Sequence, residues 1–427
     1  MAERVASRQS LRGLDALNFF LADVRDGLGP YLAIYLIAVR GPSHGWNEAT
    51  VGAVITTAGI VGLIFQTPLG GLVDKVAQRR LVVVVAASMV TVSCLVLPFV
   101  SGFALVTATQ SIASIAGAAV APAISAITLG LVGPKLLAPR IGRNEAFNHA
   151  GNAASAGIAA LLAWWLGPVV VFWLMGVLAV CSIVSTLRIR ATEIDERQAR
   201  GLTASAGDDA AGGAPGVSGL RVLLTSRPLL VFTIIAFTFH LSNAAMLTSV
   251  SQLLTRVVGK DGATSLVALC VLAAQLVMIP VAILVGRKAD VWGRKPIFLA
   301  AFGVLAARGL LYTVSDNGTW LLVVQALDGV GAGIFGALFP VVVADLTRGT
   351  GRFNLAQGAV ATSQGLGGAL SAGLAGAIIV ALGYDVAFWT LAGIAVVGLV
   401  LYATLMPETR PAPGGTPETG AAKAATG

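Results

Sequence analysis

Long apolar runs, interrupted by short polar or glycine-bearing stretches, recur about twelve times along the chain. They cover 14–39, 48–72, 80–100, 103–133, 143–166 and 168–187, then 228–257, 263–286, 296–315, 318–346, 353–382 and 385–406. Each holds about 20–30 residues, enough for a helix to cross a hydrocarbon core about 30 Å thick with some tilt. Between the two sets, 188–227 carries a charged run from Arg188 to Arg200 and then Gly, Ala, Ser and Asp around 201–219. That composition cannot bury a core and predicts a flexible linker. Residues 407–427 predict a disordered tail. The expected organisation is a short segment 1–12, a six-helix bundle 13–187, the linker 188–227, a second bundle 228–406 and the tail 407–427.

Composition sharpens the class. Of 427 residues, 56% are hydrophobic and only 11% charged, and the mean hydropathy is +0.85. A soluble domain carries roughly 25% charged residues, so a soluble enzyme, a coiled coil and a disordered chain are excluded. The 51 glycines suit membrane helices that pack backbone to backbone. Cys94, Cys181 and Cys270 all lie inside apolar runs, where they read as packing residues rather than disulfide or metal partners. The net charge of +8 would suggest nucleic acid in a soluble domain. Here it reads as topology. All but five of the 28 lysines and arginines fall on one side if the N-terminus is cytoplasmic. The five are Arg40, Arg256 and Lys260 on the other side, and Arg25 and Arg308 inside spans. This bias places both termini and the linker in the cytoplasm, in a cytoplasmic (inner) membrane. No removable signal peptide is expected.

The halves repeat. Gly70-Gly-Leu-Val-Asp74-Lys-Val-Ala-Gln-Arg79-Arg80 matches Gly286-Arg-Lys-Ala-Asp290-Val-Trp-Gly293-Arg294-Lys295, at an offset of 216 residues between the aspartates. Phe19 to Asp23 aligns with Phe239 to Asn243, and Arg143 with Arg352, at nearly the same offset. Six-plus-six duplication follows. On these residues the chain resembles the major facilitator superfamily over about 12–406. The resemblance implies an all-α membrane fold of twelve helices in two pseudo-symmetric bundles, and transport by alternating access. It also implies that the two glycine–aspartate loops (Gly70, Asp74, Arg79; Gly286, Asp290, Gly293, Arg294, Lys295) act as conformational gates that lock the outward-open state. The second copy is complete. The first has Ala77 and Gln78 where the family has Gly and Arg, so its latch is expected to be the weaker. Gln110, in the fourth span, stands where many members carry arginine, and the fifth span lacks the Gly-Pro motif of many drug–proton antiporters.

Charged groups set deep in apolar runs are the candidate chemistry. Asp23, Arg25 and Asp26 lie about 14–18 Å along the first span at about 1.5 Å per residue, near the midplane. A central charge costs about 2.5–3.5 kcal/mol on insertion scales, so such groups persist when paired or hydrated. Asp23 and Asp26 share a face, whereas Arg25 joins them only if the helix breaks at Gly27-Leu-Gly29-Pro30. One reading gives the carboxylates a proton or a cationic group and Arg25 an anion; the other is an interhelical ion pair that fixes packing. His240 and Asn243 share a face of the seventh span at similar depth, the histidine serving either proton relay or a backbone carbonyl. Asn148 and Asn152 form a polar stripe beside His149, with Arg143 and Glu145 at its mouth as an interfacial gate. Gln357 takes the place of Asn148 in the second half. Arg308 lies about 18 Å deep and needs a partner, for which Asp328 is the candidate. Gln325 mirrors Gln110. Tyr31, Tyr35, Phe65, Trp164 and Trp165 line a solute path or pack against lipid.

No phosphate loop, metal cluster or nucleophile triad is visible, so no enzyme, nucleotide or cofactor is expected. The expected function is proton-coupled export of a small organic solute by a monomer. The expected partners are that solute, protons and the bilayer, with no nucleic acid. Import of an organic anion through Arg25 and Arg308 is the alternative. A non-transporting receptor or scaffold has little reason to keep titratable groups at the midplane.

Overall fold

The computed structural model describes residues 6–25, 32, 35–36, 45–46, 48–166, 169–202 and 226–410, and every element among them is helical. The first half comprises α1 (Arg8–Arg25), α2 (Glu48–Lys75), α3 (Arg79–Leu95), α4 (Phe103–Val132), α5 (Leu137–Leu166) and α6 (Val170–Arg188). The second comprises α7 (Arg227–Trp292), α8 (Arg294–Leu311), α9 (Gly318–Ala326), α10 (Asp328–Leu346), α11 (Phe353–Leu382) and α12 (Tyr384–Leu405). Among the described residues, nine stretches are long and apolar enough to cross a membrane. Two of them, Arg227–Leu254 and Leu266–Trp292, lie within α7, whose 66 residues would reach about 99 Å if straight. The two stretches pack side by side instead. Met246 touches Arg308, and Ala274 lies against Gly329, next to the Asp328 that pairs with the same arginine. Gly318–Leu346 is likewise one span, interrupted at Leu327 between α9 and α10.

Each half builds its own apolar core. Leu14, Leu21, Val83, Val120, Phe172 and Met175 belong to the first. The second centres on the mostly edge-to-face rings of Phe232, Phe239, Phe298, Phe302 and Phe335, and Ala138 and Ile141 of α5 join it. Large apolar side chains such as Ile64, Trp165, Trp173, Val323 and Val380 point outward. An apolar outer surface around helices whose backbone groups are satisfied internally is what hydrocarbon solvent selects.

The halves meet along two seams, α2 against α11 and α5 against α7. Small residues permit the approach. A Cβ on Gly358 would lie 2.6 Å from the Gln66 carbonyl oxygen, and one on Gly142 would lie 2.7 Å from the Cα of Gly286. These contacts cluster at the end that carries the basic loops. Toward the other end, Gly52 and Gly59 of α2, Gly157 of α5, and Gly373 and Gly376 of α11 face nothing within 4 Å. The molecule is closed at its basic end and its seams part toward the opposite one.

The connection after α6 departs from the flexible linker expected for 188–227. Residues 189–202 form an ordered strap across the seam. Asp195 caps a short helix, Glu196–Ala199, by accepting from Arg197 and Gln198, and its own backbone N–H donates to Gly130 of α4. On the other side, Gly349 donates to the Gly201 carbonyl at 2.6 Å, and Asn354 Nδ2 to that of Ala199 at 3.2 Å. Composition predicted no core for this segment, yet Ile189, Ile194 and Ala199 are buried in the first-half core and Leu202 is buried too, so anchoring apolar side chains order it together with tertiary hydrogen bonds. Residues 203–225 and 411–427 lie outside the described residues.

Candidate functional site: three polar clusters and a latch

In the second half, four of the expected site residues come together. Arg308 of α8, only 2% exposed, pairs with Asp328 at the start of α10 and donates to Asn243 Oδ1 of α7 at 2.7 Å. Gln325 donates to Asp328 Oδ2 at 3.3 Å and accepts from the Tyr312 hydroxyl. The guanidinium is thus matched on several sides, which is the condition for keeping a charge among apolar helices. His240 is one turn away, with its ring edge-on to Phe335 and its Nδ1 donating to the Ala236 carbonyl at 3.0 Å.

The first half holds a different cluster. Asp15 of α1 accepts from Arg140 Nη2 at 2.6 Å and from Arg143 at 2.8 and 3.0 Å. Arg140 also donates to Asn144, which reaches Thr128 of α4. Sequence reasoning passed over Asp15 because it stands at the edge of the first apolar run. Arg143, at the mouth of α5, is thus paired with Asp15 of α1. Asp23 and Arg25 fall in the last turn of α1, while Asp26 and Tyr31 lie outside the described residues. Tyr35 stacks edge-to-face on Phe172 at 4.8 Å.

A third cluster bridges the halves. His149 Nδ1 of α5 donates to Gln275 Oε1 of α7 at 2.7 Å, and its Nε2 stands 3.9 Å from Glu145. Asn148 donates to Glu145 at 3.3 Å, and the carboxylate of Glu145 faces Gly336 of α10. Thr67 and Thr362 meet at 2.9 Å across the other seam. Gln110 and Gln357 are buried with Nε2 unmatched, and Asn152 is half-buried. Gln275 is a large polar residue inside an apolar run; that contrast was its signal.

The glycine–aspartate loops diverge. Asp74, at the end of α2, accepts from the backbone of Asn354 and Leu355 at 3.2 and 2.9 Å and from Asn354 Nδ2 at 2.7 Å. The residue at the N-cap of α11, Arg352, provides no side-chain cap, so a carboxylate from the other half performs that role. Gly70 lies against the Asn354 backbone where a Cβ would not fit. Asp290 instead pairs with Arg294 within its own half at 2.6 Å, and Arg294 continues to Asp345 at 3.1 Å. Gly293 turns that loop at φ +92°, whereas Ala77, which stands in its place in the first copy, does not take a positive φ. Lys295 reaches the Ala403 carbonyl, and Arg79 pairs with Glu196 of the strap. The degraded copy, expected to be the weaker latch, is the copy whose aspartate crosses between the halves.

Two helical bundles joined by a strap, with charged side chains inside and an apolar surface outside, define a polytopic membrane transporter fold. The chain belongs to the Major Facilitator Superfamily, whose family model matches residues 16–307 and 261–426. It is 50% identical over 398 residues to an "uncharacterized MFS-type transporter" of Mycobacterium tuberculosis, covering 93% of each chain. A "multidrug transporter protein MdtP" of Bacillus subtilis is 24% identical over 179 residues, covering 42% of this chain and 32% of its own. Among solved structures, the proton:xylose symporter XylE superposes with a TM-score of 0.72 at 14% identity, covering 94% of this chain and 96% of its own. The human organic anion transporter MFSD10 gives 0.71 at 16% identity, covering 92% and 99%. At such identities these two likenesses concern the fold.

Proposed function

We propose that the chain is a secondary active transporter that exports a small organic solute across the cytoplasmic membrane, driven by protons. The observation that carries this reading is that the halves touch at one end and part toward the other, as one state of an alternating-access cycle requires. With the basic end taken as cytoplasmic, that state opens outward. Proton coupling is supported by the bridging cluster. His149 already donates through Nδ1, so a proton arriving at Nε2 would gain Glu145 as its ion-pair partner. Protonation there would change the contacts between α5, α7 and α10, the helices that must move. Asp23 and Asp26, at midplane depth in the sequence, remain the second candidate pair for proton transfer. A multidrug transporter and a proton:xylose symporter among the similar proteins support movement of a small organic solute and use of protons respectively. Arg308 is committed to Asp328 and Asn243, so an anion importer would have to rely on Arg25.

A thermal-shift screen of metabolites, antibiotics and metal chelates supplies a probe solute. Proteoliposomes with an imposed pH gradient then test the reading. Solute flux is expected to follow the sign of the gradient in the native chain. In Glu145→Gln or Asp23→Asn, the gradient is expected no longer to drive it. Flux that ignores the gradient in the native chain would overturn proton coupling.

A further inference from the structure

Beside the latch lies a cavity of about 180 Å³, lined on one side by the first glycine–aspartate loop and on the other by the strap. Its charged lining is Asp74, Lys75 and Arg79 from the loop with Glu196, Arg197 and Arg200 from the strap. Four cations therefore face two carboxylates, and one of those is already spent. Asp74 accepts three hydrogen bonds from α11. Arg79 is the least expected member. It is 1% exposed, pairs with Glu196 through Nη1, and leaves Nε and Nη2 buried without a hydrogen-bond partner. An unmatched buried donor of a charged group is costly, and Arg presents its donors as a planar fork suited to a polyoxygen anion. Glu196, its present partner, is half exposed and stands on a four-residue helix, so it can swing out to solvent.

We propose that this cavity is a binding site for a phosphate-bearing anion, either free phosphate or the phosphodiester headgroup of an anionic lipid. Arg79 holds the anion through Nε and Nη2, Lys75, Arg197 and Arg200 supply the surrounding positive charge, and Glu196 is the internal group that the ligand displaces. A phosphate fits better than a single carboxylate because several oxygens are needed to answer cations approaching from two segments. Its occupancy ties the loop to the strap, and the strap is hydrogen-bonded to Gly349 of the other half. The ligand therefore strengthens the closed basic end next to the Asp74 cap. Neither the transport cycle nor membership of the family assigns this site.

The test uses the full chain in nanodiscs and reads the thermal unfolding midpoint. One arm adds inorganic phosphate or pyrophosphate to phosphatidylcholine discs, against sodium chloride at matched ionic strength. The other arm compares phosphatidylglycerol discs with phosphatidylcholine discs, with no phosphate added. Stabilisation in the first arm alone assigns a soluble anion, and stabilisation in the second alone assigns a lipid; either supports the site. Arg79→Gln is expected to abolish the effect. Because that variant risks misfolding, two others are read in opposite directions. Glu196→Gln is expected to tighten apparent binding several-fold, and Arg200→Gln to weaken it by about tenfold, the scale of one charge-assisted hydrogen bond. No shift in either arm, or shifts that these two substitutions leave unchanged, would overturn the proposal.

Discussion

The two glycine–aspartate loops began as copies and now serve different masters. In the second half, Asp290 is answered by Arg294, which is buried and also held by Asp345. In the first half the position matching Arg294 is Gln78, and no carboxylate matches Asp345, since 216 residues earlier the chain has Leu129. Asp74 therefore has no partner in its own loop and is available to cap α11 across the seam. The loss of motif residues is what makes the cross-half latch possible. The same contrast holds in the interiors. The arginine of the second half, Arg308, is satisfied within that half, whereas His149 of the first half looks across the seam to Gln275.

The largest expected effect comes from breaking the self-contained pair. Arg308→Gln strands Asp328 among apolar helices, and removing one partner of a buried ion pair costs about 3–5 kcal/mol. Thermal unfolding in detergent should show the loss. The double variant Arg308→Gln/Asp328→Asn should recover part of it, because no unpaired charge is left behind. A double variant as unstable as the single one would show that the cluster is held by something other than the pair.

Next comes the cross-half cap. Asp74→Ala removes a helix cap worth about 0.5–2 kcal/mol, which shifts an open–closed equilibrium by roughly 2- to 30-fold. Asp290→Ala should leave that equilibrium nearly unmoved. Disulfide trapping reports it directly: Thr67→Cys with Thr362→Cys, whose hydroxyls now meet at 2.9 Å, in a background without Cys94, Cys181 and Cys270. Equal losses of cross-linking in the two aspartate variants would erase the distinction between the loops. A smaller effect is expected from restoring the motif by Ala77→Gly with Gln78→Arg. The introduced guanidinium competes with α11 for Asp74, and an exposed pair of this kind is worth about 0.2–1 kcal/mol. Cross-linking should fall, though less than in Asp74→Ala.

How much of this was legible beforehand depends on where each partner stands in the chain. Twelve apolar runs, the duplication and the need of Arg308 for a partner all follow from periodicity and depth, which are local properties. That Asp328 is the partner agrees with its candidacy, and Asn243 and Gln325 join it in the same cluster. The cross-half contacts were not legible in the same way. Nothing near Asp74 in the chain announces Asn354, 280 residues on, and the missing glycine reads locally as damage. The strap was invisible for the same reason: composition reports a polar, glycine-rich average, not that Ile189, Ile194 and Ala199 will anchor in the first-half core or that Gly130 and Gly349 will each hydrogen-bond to it. Asp15 and Gln275 were overlooked because one polar residue at the edge or middle of an apolar run carries little weight until its neighbour is known.

The smallest effect tests whether a cap made within one half behaves as a local device. Glu408, just beyond α12, accepts from the backbone N–H groups of Arg294 and Lys295 at 2.9 and 3.1 Å, and from Arg410 at 2.8 Å. It caps α8 as Asp74 caps α11, but from within its own half. Partial burial pushes its carboxyl upward, yet these hydrogen bonds and the Arg294 charge outweigh that and hold it below its ordinary 4.5. A depressed carboxyl contributes stability that is fully present above its unfolded value and is lost as pH falls through the folded one. Hydrogen exchange at the start of α8 should therefore be slow and constant from neutral pH down to about 4.5, after correction for intrinsic rates, and should quicken below it. In Glu408→Gln that step should vanish, while Thr67–Thr362 cross-linking stays at the native level throughout. If acid loosened the α2–α11 seam together with α8, and Glu408→Gln removed both changes, this cap would be coupled to the latch and the two loops would be parts of one gate.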